Sequence, residues 1–255
     1  MAKDPSKHTD LAGNSKDDEN VLHMWEPFDF KVKSGYDYLR KSVPKTVAYY
    51  IVHAIIFVIL EFMNRVFWGF KIEGKENLKS IKGMGAVSIM NHVHPMDCTM
   101  AGIAAGMRRM YYVSLESNFR IPVVRHIIKV CGAVPLSKEP SLIKEMFYNM
   151  AAAMEDGCLV QIYPEGVLIP YYKGIRTFKQ GAFRLAADTN RPILMMALIQ
   201  RERRGLWRVL KRKPCFTLKF LPPVYPDATN EKHEETKRLM EYCEEKMREA
   251  VQPAR

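Results

Sequence analysis

From residue 71 onward, short apolar runs alternate with stretches of helical periodicity. Residues 86–90, 110–115, 132–136, 159–163, 192–199 and 216–221 read as strands of a largely buried sheet. Between them, residues 98–107, 122–130, 142–155 and 181–189 have helical character. Strand and helix in alternation predict an α/β fold, a layered sheet flanked by helices, over residues 71–255. Near the end, residues 231–251 carry Leu239, Met240, Cys243, Met247 and Ala250 at helical spacing among many charges, which predicts a helix packed on the domain.

The segment TVAYYIVHAIIFVILEFMNRVFWGF, residues 46–70, is patterned differently. Its central run, residues 47–60, is apolar apart from His53. A spanning helix needs about 20 such residues, so the run is short for crossing a bilayer. At about 100° per residue, Thr46, Tyr50, His53, Glu61, Asn64 and Arg65 share one sector about 120° wide, and the remaining circumference is aliphatic or aromatic. Such a helix lies in the bilayer interface or dips into one leaflet, its polar stripe toward water or the catalytic domain. The alternative is a buried core helix, but the apolar face is wider than a globular core usually needs. Residues 21–70 are therefore expected to form an N-terminal helical segment that associates with a membrane. Residues 1–20 are polar, lack the apolar core of a signal peptide and read as a disordered tail.

With 255 residues, 47% of them hydrophobic, the chain supports one sizeable core. The net charge of +11 can attract nucleic acid, anionic lipid or a polyphosphate ligand. No nucleic-acid-binding motif is present, and the apolar helix argues against that partner. Cys98, Cys131, Cys158, Cys215 and Cys243 are odd in number, widely spaced and without a Cys-x-x-Cys pair. Neither a zinc site nor a disulfide framework is expected, and reduced thiols on the cytoplasmic side fit best.

Chemistry enters at NHVHPMD, residues 91–97, directly after the strand 86–90. His92 and Asp97 lie where a strand ends and a helix begins, the edge at which open α/β sheets bind ligands. A neutral imidazole can take a proton from a hydroxyl, and a carboxylate fixes its tautomer and stabilises the imidazolium. His94 is the neighbouring competitor, but the residue five positions beyond it is Thr99, which favours His92. The second landmark is LVQIYPEG, residues 159–166, where another strand ends in Pro-Glu-Gly. Glu165 can accept hydrogen bonds from substrate hydroxyls, and Gly166 lets a ligand approach the backbone.

In this order, about 70 residues apart, the two motifs resemble those of the glycerolipid acyltransferase family. Its Asn-His-x-x-x-x-Asp block is matched by Asn91, His92 and Asp97, and its Phe-Pro-Glu-Gly block by Tyr163, Pro164, Glu165 and Gly166. A following Phe-Lys-x-Gly-Ala-Phe stretch is matched by Phe178, Lys179, Gly181, Ala182 and Phe183, and the proline of the fourth block by Pro192. The resemblance spans residues 47–225 and includes the amphipathic segment with which this family sits on membranes. It implies an O-acyltransferase that moves a fatty acyl group from acyl-coenzyme A or acyl carrier protein to a hydroxyl of a lysoglycerolipid. The implied acceptor is lysophosphatidic acid, giving phosphatidic acid in phospholipid biosynthesis. Transfer is direct: His92 deprotonates the acceptor, Asp97 orients His92, and N–H groups at the start of the following helix hold the oxyanion. No cofactor or metal is called for, and Cys98 is a packed thiol, not a nucleophile.

Three departures bear on the acceptor. After Pro-Glu-Gly the family has Thr-Arg, its arginine associated with the acceptor phosphate, where this chain has Val167 and Leu168. The second block ends in Lys138 in place of arginine, and a family lysine falls near Glu116. Lysine only partly replaces the planar fork of arginine. Asn91, Glu165, Gly166, Lys138, Lys173 and Lys179 are the candidate acceptor-binding residues, with Arg176 a further cation available to compensate. The alternatives are a different lysophospholipid or an amino-acid-containing lipid as acceptor, or an inactive membrane lipid-binding relative. The run RERRGLWRVLKRK, residues 201–213, reads as a solvated loop, a contact with anionic headgroups, or a contact with coenzyme A phosphates.

Overall fold

The computed structural model describes residues 29–106, 108–122, 124–203, 205, 208–209 and 213–252. The expected tail over residues 1–20, the first residues of the 21–70 segment and most of the basic run after Arg203 lie outside them. In chain order the elements are α1 (Val43–Trp68), β1 (Lys71–Glu73), α2 (Lys75–Ser80), β2 (Ala86–Met90), α3 (Asp97–Ala105) and β3 (Met110–Leu115). A 3-10 turn (Glu116–Arg120) then leads to α4 (Val124–Val130), β4 (Ala133–Leu136), α5 (Pro140–Glu155) and β5 (Leu159–Ile162). The chain continues with α6 (Gly181–Thr189), β6 (Ile193–Arg201), β7 (Cys215–Phe220) and α7 (Lys232–Val251).

The seven strands form one sheet in the order β1-β7-β6-β2-β5-β3-β4, parallel except where β7 runs against β6. All five residues of β2 are buried, as expected of a strand covered on both faces. Its side chains divide by parity. Val87 and Ile89 join a core with β5 Val160, β6 Ile193 and Met195, and helices α5, α6 and α7. Ala86 and Met90 join a second core on the opposite face with Met100 and Ala101 of α3, Leu194, Met196 and Phe220. The sheet is thus the middle of three layers. Ser88 donates to Gln161 Oε1 at 2.8 Å, a polar rung that satisfies both side chains inside the apolar sheet.

Because β5 lies beside β2, with Ala86 opposite Leu159 and Ile89 opposite Ile162, the loops that follow these two strands emerge together. β2 also pairs with β6 on its other side, so its C-terminal loop opens at the middle of the sheet edge. The terminal helix packs as its spacing predicts, with Leu239, Cys243 and Met247 buried and Met240 and Ala250 partly so.

The N-terminal segment departs from the sequence reading. Residues 21–70 were expected to be helical, but among the described residues the helix begins at Val43. Residues 29–41 form an extended strap across the domain, turned at Gly35 (φ 77°). Phe30 stacks on Phe119 at 5.2 Å, Tyr38 is buried, and the Arg40 guanidinium reaches the carbonyls of Lys129 and Ala133. Glu116, where the family resemblance expects a lysine, accepts a 2.8 Å hydrogen bond from the Val32 N–H. The charge reversal serves the strap.

Helix α1 has only a narrow contact with the domain. Asn64 is buried, donating to Thr99 Oγ1 of α3 at 3.2 Å, while Phe57, Leu60 and Trp68 are partly buried. Val47, Ile51, Ile55, Val58, Phe62 and Val66, spaced three and four apart, form with Ile59 an exposed apolar stripe that peaks at 68% exposure on Val58. The buried-core alternative for this helix does not hold. Among the described residues, no helix is long and apolar enough to cross a membrane.

Candidate active site

The loop after β2 places His92 at the sheet edge, and Asp97 opens α3, where a carboxylate also complements the helix dipole. His92 Nδ1 lies 2.6 Å from Asp97 Oδ2. The imidazole is 24% exposed and the carboxylate only 1%. With Nδ1 held by the carboxylate, Nε2 is the nitrogen left for proton transfer. His94 is buried instead, its Nδ1 accepting from the Met96 N–H at 3.1 Å and its ring set among Trp68, Tyr171 and Phe216. It belongs to the apolar support of the loop.

Asn91 is 1% exposed and bridges β2 to β6, donating to the Leu198 carbonyl at 3.0 Å and accepting from the Leu198 N–H at 2.7 Å. Both ends of its amide are therefore engaged with backbone, and the acceptor-binding role expected of it is replaced by anchoring the catalytic loop. Glu165 follows the same logic. Its carboxylate accepts from the His92 N–H at 3.2 Å, from the Arg176 N–H at 3.1 Å and from the Arg176 guanidinium at 2.9 Å. Its side chain is 0% exposed, so it ties the two motifs together and does not face a substrate hydroxyl. Arg176 also reaches the Val167 carbonyl through the same nitrogen, Nη2, that meets Glu165, which ties this end of the guanidinium to the turn.

Gly166 takes φ 77°, and a Cβ there would meet Lys179 Cε at 2.9 Å and Nζ at 3.0 Å. The space that glycine opens is filled by the Lys179 side chain, and the Lys179 backbone N–H donates to the Pro164 carbonyl at 2.8 Å. Lys179 is exposed, as is Lys173 on the loop that pairs back onto the His92 and Val93 carbonyls through Ile169 and Tyr171. Lys213, from the basic run, lies 4.7 Å over the Tyr171 ring and adds a cation on the same side. Lys138 follows β4, three strands from β2, or about 14 Å at normal strand spacing, and is not brought beside His92.

Two further features were not legible in advance. The Tyr163 ring stacks on His92, with centroids 4.1 Å apart and planes at 20°. The N–H groups of Met96, Asp97, Thr99 and Met100 donate to acceptors within the loop and first turn, so these four of the expected oxyanion donors are engaged. Burial pushes the Cys98 thiol up to about 12, the Asp97 charge adding to the effect, so it stays protonated and non-nucleophilic.

Comparison with known proteins agrees with this geometry. An acyltransferase family model matches residues 69–199, just over half of the chain and all of the dyad and Pro-Glu-Gly elements. The chain is 27% identical over 135 residues to the chloroplastic 1-acyl-sn-glycerol-3-phosphate acyltransferase BAT2 of Brassica napus. That match covers 52% of this chain but 38% of the relative, so the chain spans about two-fifths of the relative's length. In fold it is similar to the crystal structure of the 1-acyl-sn-glycerophosphate acyltransferase PlsC from Thermotoga maritima. The TM-score there is 0.56 at 19% identity, over 86% of this chain and 87% of that one. With the family's blocks in order and its His–Asp pair in hydrogen-bonding contact, the chain belongs to the acyltransferase family.

Proposed function

We propose that this enzyme transfers a fatty acyl group from acyl-coenzyme A or acyl carrier protein to the free hydroxyl of a lysoglycerophospholipid, with 1-acyl-sn-glycerol-3-phosphate as acceptor and phosphatidic acid as product. The observation that carries this reading is the 2.6 Å His92–Asp97 contact at the mouth of a central strand, with Nε2 left for the acceptor. His92 takes the hydroxyl proton as the acceptor oxygen bonds to the thioester carbonyl carbon. Collapse of the tetrahedral intermediate breaks the carbon–sulfur bond, and the leaving thiolate receives the proton from His92. Asp97 keeps the imidazole in the required tautomer throughout.

The test is acyl transfer in liposomes with purified enzyme, both donor types and a panel of lysolipids, read by mass spectrometry. A diacyl product from lysophosphatidic acid supports the reading. A product from another lysophospholipid or an amino-acid-containing lipid, and none from lysophosphatidic acid, reassigns the acceptor. Val167-Leu168 in place of Thr-Arg, together with the engaged Arg176, is the observation that favours this second outcome. Absence of product from every pair points to a lipid-binding relative.

On the first reading, Lys179 supplies the charge for the acceptor phosphate, since its ammonium lies over the Pro-Glu-Gly turn. Lys179→Ala is expected to raise the apparent KM for 1-acyl-sn-glycerol-3-phosphate about tenfold, the loss of one charge-assisted hydrogen bond, with kcat much less affected. Steady-state kinetics in mixed micelles checks this, and an unchanged KM removes Lys179 from the role.

The exposed stripe of α1 is read as the membrane-docking face, on the cytoplasmic leaflet, where the five free thiols stay reduced. Ile55→Asp and Val58→Asp are expected to lower liposome binding about tenfold or more each, because each removes a side chain worth about 2 kcal/mol when buried in the interface. Flotation at low lipid concentration measures it. Binding as tight as that of the parent chain places the docking face elsewhere.

A further inference from the structure

The family resemblance has phenylalanine where this chain has Tyr163, and the ring alone is enough to stack on His92. What tyrosine adds is a hydroxyl, in a place where an enclosed polar group costs stability unless it is hydrogen-bonded. Tyr163 Oη is enclosed, and the Asp97 charge is near enough to act on it. Asp97 Oδ2 is taken by His92, while neither Tyr163 Oη nor Asp97 Oδ1 has a hydrogen-bond partner among the described residues. A buried donor and a buried acceptor thus both stand unsatisfied around one imidazole, Tyr163 stacked on it at 4.1 Å and Asp97 bonded to it at 2.6 Å.

We propose that Tyr163 is a positioning residue of the dyad, its hydroxyl donating to Asp97 Oδ1 and its ring holding the His92 imidazole flat against it. This deepens the reading of His92 and Asp97 as the catalytic pair and rests on it. Burial first, and the Asp97 charge after it, push the phenol well above its ordinary range, so it is a donor at every working pH. A donor on Oδ1 has two consequences. It fixes the plane of the carboxylate, which fixes the direction in which Nε2 points. It also draws charge away from Oδ2, so the carboxylate holds the imidazolium less tightly and His92 releases its proton to the departing thiolate more readily.

The other titratable groups around this contact are Cys98, whose thiol is pushed up to about 12 by burial, and Tyr112, with the Glu165–Arg176 pair behind the His92 backbone. In Tyr163→Phe the ring, the stack and all of these neighbours stay in place, and only the donor is lost. Asp97 then binds the imidazolium more strongly, and the free base appears only at higher pH.

The experiment is the pH dependence of kcat/KM for the parent and Tyr163→Phe enzymes, with the far-downfield proton resonance of the His92–Asp97 hydrogen bond as a readout independent of turnover. The expected result is an acid limb displaced upward by about half to one pH unit. Activity near neutral pH is expected to fall about three- to tenfold, with both KM values nearly constant and the proton resonance shifted. Superimposable profiles with an unmoved resonance overturn the proposal and leave Tyr163 as packing. A drop in activity equal at all pH values, with the resonance unmoved, overturns it as well. The reading of the dyad itself fails separately, if His92→Ala keeps its activity in the same assay.

Discussion

Replacing His92 with alanine is expected to reduce acyl transfer by about a thousandfold or more, the contribution of a well-placed general base with its orientation included. The fold should survive. The His92 side chain is partly exposed, and its structural contacts are the stack on Tyr163 and the bond to Asp97. The backbone N–H that anchors the loop to Glu165 is retained in alanine. Loss of the stack costs about 1 kcal/mol, and the enclosed Asp97 carboxylate left without its partner costs about 1–3 kcal/mol more, still within a domain's stability. Asp97→Asn should approach the same loss by a different route. The amide presents an N–H donor to Nδ1, selects the tautomer with its proton on Nε2 and leaves no base facing the acceptor. Single-turnover assays on protein whose circular dichroism matches the parent separate chemistry from folding. Turnover preserved in either variant removes the dyad from the mechanism.

The sequence made the chemistry legible because both motifs stand at the ends of strands that are apolar but for one residue each, Ser88 and Gln161. Residues 86–90 and 159–162 form strands where the pattern predicts them, and His92 meets Asp97 at the predicted spacing. What the pattern does not carry is adjacency. β2 and β5 are separated in the chain by β3 and β4, yet they lie side by side, and nothing local to either strand encodes that pairing. The sheet edge was harder to read. β1 is three residues long, Lys-Ile-Glu, with its outer two side chains exposed, so it has no apolar run to detect. Polar residues misled in a consistent direction. Asn91, Glu165 and Arg176 look like ligands for a polar substrate when only their chemistry is visible. Their partners are the Leu198, His92 and Val167 backbone groups and one another, contacts made between segments that only folding brings together. A buried polar side chain must be satisfied, and in a catalytic loop the nearest unsatisfied groups are often the loop's own amides. The exposed lysines, free of such demands, remain the candidates for the headgroup.

Arg176 gives the sharpest distinction between holding the site and holding the substrate. The Glu165 carboxylate is fully enclosed, and the Arg176 guanidinium at 2.9 Å is its charged partner. In Arg176→Ala the carboxylate keeps two backbone N–H donors but loses its counter-charge, and breaking one side of a buried pair costs about 3–5 kcal/mol. For a chain of this size that corresponds to a fall in Tm of about 10 °C. The catalytic effect follows from geometry, because Glu165 holds the His92 backbone and a displacement of about 1 Å at the base can cost about a hundredfold in kcat. Arg176→Ala should therefore lower Tm and kcat together while leaving the acceptor KM nearly unchanged. Adding Glu165→Gln to it removes the stranded charge, so the double variant is expected to be more stable than Arg176→Ala alone, a coupling that thermal denaturation of the four proteins measures directly. A contrasting result, with Tm unmoved and the acceptor KM raised, would mean that Arg176 leaves Glu165 when substrate arrives and serves as the phosphate ligand that Val167-Leu168 lacks.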